Sequence, residues 1–103
     1  MLFQVVMFPT SKGKSSVSED VSKVIDIIDH SGLPYKLTAM STIIEGEWTR
    51  VMEVLNKARK ALRRRGHERI YISITIDDRK GARGRMKGKI DSIEKSLGRE
   101  VKK

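Results

Sequence analysis

Cysteine is absent from the 103 residues. That removes disulfides, thiolate metal sites and cysteine nucleophiles, and it fits a reducing compartment, so the expected location is cytoplasmic. No apolar run approaches the roughly 18 residues of a membrane span, and no membrane partner is expected. The start, MLFQVVMFPTSKGK, places its lysines after the apolar stretch, the reverse of a signal peptide. Gln4 and Asn56 are the sole side-chain amides, a bias also met in heat-adapted proteins. Proline is confined to Pro9 and Pro34. What remains is 38% hydrophobic and 34% charged, with the apolar residues in periodic clusters that a disordered tail would lack. One domain over residues 1–103 is expected, since two cores in this length would each be marginal.

The charge is lopsided. Of the 22 basic and 13 acidic residues, 4 and 6 fall in residues 1–48, and 18 and 7 in residues 49–103, giving net charges of −2 and +11. A basic face follows, and with it nucleic acid or another polyanion as a candidate partner through phosphate neutralisation and counterion release.

LFQVVMF, stopped by Pro9, reads as a first strand over residues 2–8. Ser16 and Glu19 form a capping-box pattern, and Val17, Val21, Val24, Ile25 and Ile28 recur at helical spacing, predicting a helix over 17–30. Residues 35–40 and 42–46 read as two short strands joined by a tight hairpin near Ser41. Trp48, Val51, Met52, Leu55, Ala58 and Leu62 mark a second helix, ended by Arg63, Arg64, Arg65 and Gly66. In RIYISITID, residues 69–77, the isoleucines alternate with Tyr71, Ser73, Thr75 and Asp77, the signature of a strand. Met86, Ile90, Ile93 and Leu97 predict a third helix before Gly98.

The order βαββαβα contains two split β-α-β units. It predicts an α+β fold, a ferredoxin-like sandwich: βαββαβ with an extra C-terminal helix and a four-stranded antiparallel sheet carrying two helices on one face. The first strand is apolar on both faces, with Gln4 the sole interruption. Its second face would expose a large apolar patch unless covered, so self-association through the sheet face is expected. A single-stranded RNA platform is the rival cover, but it needs aromatics projecting from central strands; Tyr71 and Phe8 are the sole candidates and the K/R-G-F/Y signature is missing.

Other motifs read first in their plain sense. The run from Asp77 to Lys89 mixes glycines and cations ahead of a helix, as a solvated turn or, second, an anion site; it has no Walker pattern. KARKALRRR at 57–65 contacts polyanions or simply opposes the helix dipole. His30 and His67 stand alone near helix ends, so no metal site is expected and both read as solvated. Asp77 and Asp78 point to opposite faces of a strand, which argues against a carboxylate pair, and no catalytic triad or required cofactor suggests itself. Glu45, between Ile44 and Gly46, faces either solvent or the open sheet; on the sheet it needs a hydrogen-bonding or cationic partner, and an amidine-like or aminopyrimidine ring would supply paired donors.

MFPTSKGKSSVSEDV, SGLPYKLTAMSTIIEGEW and IDDRKGARGRMKGKIDSIEKSLGR resemble the small thiamine-binding-protein-like family of archaea, bacteria and yeast. Ser41 and Thr10-Ser11 stand where that family often has Gly and Ile-Gly. The resemblance implies a ferredoxin-like fold, dimers formed by packed sheets and commonly tetramers, and binding of thiamine or its hydroxymethylpyrimidine portion beside the sheet. Thr42 and Glu45 match the family motif. Strand reading extends the candidate site to Tyr35, Thr38, Met40 and Asp77: Glu45 accepts from the aminopyrimidine, Thr42 bonds it in plane, Tyr35 and Met40 line the ring, and Asp77 offsets the thiazolium. The expected activity is non-catalytic ligand binding by a homo-oligomer, with nucleic-acid or polyanion binding by the basic half as the alternative.

Overall fold

The structure is a computed structural model that describes residues 1–10, 17–81 and 85–101. Seven elements follow in order: β1 (Leu2–Pro9), α1 (Val17–His30), β2 (Tyr35–Leu37), β3 (Thr42–Glu45), α2 (Trp48–Arg64), β4 (Ile70–Asp77) and α3 (Arg85–Leu97). The sheet order is β2-β3-β1-β4 with every pairing antiparallel, the expected ferredoxin-like sandwich with its extra helix. Ser16 of the expected capping box lies outside the described residues.

Register divides the side chains between two faces. Phe3 pairs with Ile44 and Ile76, and Val5 with Thr42 and Ile74, so these residues share the inner face with Tyr35 and Leu37. Onto that face α1 packs Val24 and Ile28, and α2 packs Val51, Leu55, Ala58 and Leu62. Each buried Val, Leu or Ile side chain here contributes roughly 1.5–3 kcal/mol relative to exposure. Gly46 permits this packing, because a Cβ there would stand 2.9 Å from Val51 Cγ2 and 3.1 Å from Leu33 Cδ2. Gly66, at φ +95°, takes the left-handed conformation that ends α2.

Two expectations need correcting. The second strand stops at Leu37 rather than Met40, and the hairpin closes through the Thr38 hydroxyl, which donates to Ser41 O (2.8 Å) and accepts from the backbone N–H groups of Met40 and Ser41. No described non-glycine residue has positive φ, so the primed turns of a tight two-residue hairpin are ruled out here, and the Thr38 hydroxyl closes the turn together with the backbone N–H of Thr38, which donates to Ser41 O at 2.8 Å. His67 is not solvated but 2% exposed, its Nε2 2.9 Å from Asp20 Oδ2.

The radius of gyration is 15.4 Å, against about 13 Å for an average domain near this length. The first turns of α3 lie over one end of the outer sheet face, while farther along the helix Ile93 and Leu97 are 54% and 51% exposed. Among the described residues no helix is long and apolar enough to cross a membrane.

Candidate functional site

The outer sheet face is built from successive cross-strand rows. Glu45, Leu2 and Asp77 form the end row, and Lys36, Ile43, Gln4 and Thr75 the next. Strand spacing makes the four-residue row about 14 Å wide. Further along, Phe8 pairs with Tyr71, their ring centroids 5.1 Å apart.

Over the first two rows the start of α3 forms a roof, enclosing a cleft of about 410 Å³. Leu2 and Ile43 contribute apolar floor and Met86 and Ile90 apolar wall, while the polar lining residues are Gln4, Lys36, Thr38, Thr75, Asp77 and Lys89. Polar groups placed around a largely apolar surface are the usual make-up of a small-molecule site. Gln4 Nε2 donates to Ser41 Oγ at 3.2 Å, which fixes its amide on the floor. Lys89 Nζ donates to Asp77 Oδ2 at 3.3 Å and so ties α3 to β4 at the rim.

Glu45 is half-buried and faces this outer side. Its Oε1 accepts from the backbone N–H of Met86 at 3.4 Å, in the first turn of α3, where unpaired N–H groups and the helix dipole favour a carboxylate. The donor that a sheet-facing glutamate requires is therefore supplied by the protein itself.

The six residues singled out in the sequence do not form one site. Asp77 and Thr38 line the outer cleft, and Glu45 stands beside it. Thr42 is buried on the inner face. There it lines, with Thr38 and Met40, a separate cavity of about 210 Å³ walled by Val24 and Ile28 of α1. Met40 sits at the hairpin tip, 83% exposed. Tyr35 also belongs to the inner side, its hydroxyl donating to Asp29 Oδ1 at 2.8 Å, and this bond raises the phenol above its usual pKa of 10.0. Motif neighbours Thr42 and Glu45 are three residues apart in one strand, so the pleat sends them to opposite faces.

The sequence profile of the thiamine-binding protein family matches residues 3–94. The chain belongs to that family. Among its relatives, Bacillus subtilis YqgV is 33% identical over 97 residues, spanning 90% of this chain and 93% of that protein. A Mycobacterium bovis relative is 37% identical over 82 residues, 79% of each chain. The crystal structure of Methanocaldococcus jannaschii MJ1052 superposes with a TM-score of 0.77 at 26% identity, covering 89% of this chain and 93% of that one. A Thermotoga maritima protein, provisionally placed in thiamine biosynthesis or salvage, has the same fold, with a TM-score of 0.76 at 18% identity over 89% and 96% of the two chains.

In this member of the thiamine-binding family, sequence reasoning passed over Gln4, Thr75, Met86, Lys89 and Ile90 as cleft residues. One signal for Gln4 was present: it is the single polar side chain in an otherwise apolar strand. No comparable signal marks the α3 residues, whose position over the sheet is a matter of tertiary packing.

Proposed function

We propose that the protein binds thiamine, or its hydroxymethylpyrimidine portion, without catalysing a reaction, and that the outer cleft is the site. The supporting observation is the cleft itself: a cavity of about 410 Å³ with apolar floor and wall and a carboxylate, Asp77, at one end, in a chain of the thiamine-binding family. The ligand's rings lie between the sheet floor and Met86, Gln4 and Thr75 bond the pyrimidine, and Asp77 faces the thiazolium. Tyr35, Met40 and Thr42 have no contact with the ligand in this arrangement. Isothermal titration with thiamine, its phosphates and hydroxymethylpyrimidine tests the reading: saturable heat that Asp77→Asn weakens supports it, and no heat from any of them at high protein concentration removes it.

The protein acts as a homo-oligomer in the cytoplasm, pairing through the part of the outer face that α3 leaves uncovered. Val6 and Phe8 are half-buried there and Tyr71 is half-exposed, and a second copy would remove this apolar surface from water.

A second reading rests on α2. Arg50, Lys57, Lys60 and Arg64 are exposed and follow helical spacing along one stripe, and Lys57, Lys60 and Arg64 make no ion pair among the described residues. A nucleic-acid backbone fits such a surface better than a protein does, since protein interfaces are depleted in lysine and anchored by aromatics.

A further inference from the structure

The charges around the outer cleft do not suit free thiamine alone. Lys36 and Lys89 both line it, against one lining carboxylate, Asp77, which Lys89 engages; the other carboxylate of that row, Glu45, stands beside the cleft and accepts from the backbone N–H of Met86. A ligand bearing only a thiazolium cation must separate Lys89 from Asp77 and leave the ammonium facing a third positive charge. The chain as a whole, at net +9, adds a long-range field that opposes the same ligand.

A phosphate ester of that ligand meets a different situation. Its phosphate carries about −1.5 to −2 charges near neutral pH, and in thiamine esters it hangs from the thiazolium ring by a short ethyl arm. The thiazolium can then take the place of Lys89 at Asp77 while the released ammonium turns to the phosphate, so Lys89 keeps an anionic partner throughout. Lys89 has the freedom this needs: its pair with Asp77 is rim-exposed, at 59% and 51% for the two side chains, and exposed pairs of this kind are weak enough to exchange.

Resting on the reading of the cleft as the thiamine site, we propose that it selects the phosphorylated form of its ligand, with Lys89 as the phosphate-binding and specificity-determining residue. The chemical class is a zwitterionic aromatic ester: a ring cation held by Asp77 joined to a phosphate held by Lys89.

The test is calorimetric titration of hydroxymethylpyrimidine, thiamine and thiamine monophosphate into the wild type, Lys89→Gln and Lys89→Arg, at low salt. The wild type should bind the monophosphate about tenfold or more tighter than thiamine, the scale of one charge-assisted hydrogen bond. Lys89→Gln should close that gap from both sides, weakening the ester and strengthening free thiamine, because the competing ammonium is gone. Lys89→Arg should keep the preference. Equal affinity of thiamine and its monophosphate in the wild type, or a Lys89→Gln variant that weakens both alike, overturns the ester preference and leaves the thiamine site standing. Failure of all three compounds to bind removes the thiamine reading, and the ester preference with it.

Discussion

Nε2 of His67 lies 2.9 Å from Oδ2 of Asp20, and both side chains are almost wholly removed from solvent, at 2% and 1% exposure. Arg65 Nε donates to the other carboxylate oxygen at 2.7 Å, so one aspartate in the first turn of α1 joins that helix to the connection between α2 and β4. Removing one member of a buried pair leaves its partner desolvated, and Asp20→Ala should lower the unfolding free energy by about 3 kcal/mol. Replacing both members by apolar residues, as in Asp20→Leu with His67→Phe, should cost less than the two single changes added together. Urea titration of the four proteins reads this; an Asp20→Ala variant as stable as the wild type would refute it.

His30, exposed at the C-terminus of α1, has its pKa raised above the ordinary 6.5, first by its hydrogen bond to the Asp26 backbone carbonyl and then by the Asp26 carboxylate. A raised folded-state pKa means the folded protein holds the proton more tightly than the unfolded chain. The stabilisation is therefore fully present below pH 6.5 and is lost as pH rises through the higher folded value. NMR titration of the His30 ring should place its midpoint above 6.5, and Asp26→Asn should lower that midpoint part of the way, since the carbonyl remains. A midpoint at or below 6.5 would contradict the geometry.

Glu45 and Asp77 flank Leu2 in one row, but their tasks differ. Glu45 receives the first turn of α3, so Glu45→Ala should speed amide exchange at Met86 and loosen the roof of the cleft. Asp77→Asn, which loses the rim-exposed tie to Lys89, should change that exchange much less and weaken thiamine by about two- to fivefold, the value of an exposed ion pair, since the quaternary thiazolium nitrogen donates no hydrogen bond. Hydrogen exchange and calorimetry on the two variants separate the roles; matching effects on both readouts would mean the row acts as a unit.

Tyr71 stacks against Phe8 on the part of the outer face that α3 does not reach. Tyr71→Glu should yield monomers at micromolar concentration in light scattering, with an unchanged circular dichroism spectrum, because a charge opposite a second copy's sheet is desolvated without a partner. A wild-type protein already monomeric would remove the self-association proposal.

Gel shift across a salt series addresses the stripe on α2. Reversing Lys57, Lys60 and Arg64 to Glu should abolish any retardation of duplex DNA at about 50 mM salt, and the wild-type affinity should fall on a log–log salt plot with a slope near −0.9 per phosphate neutralised. Binding that ignores both salt and these substitutions lies elsewhere.

Periodicity along the chain sufficed for the nature and order of the seven elements: the isoleucine alternation of β4, the stripes of α1 and α2, and the helical spacing of Met86, Ile90, Ile93 and Leu97 each report which side of one element is apolar. Such local patterns do not tell which elements meet. Asp20 looks like any acid in a first helical turn and His67 like a lone loop histidine, and only the packing of α1 against the α2–β4 connection made them a buried pair. Likewise the motif pointed to Thr42 and Glu45 together, while the pleat and the pairing register sent one inward and the other toward α3. Sequence spacing carries the short-range sterics of helix and strand; cross-strand register and the path of α3 come from contacts between residues far apart in the chain, and those contacts assembled the cleft.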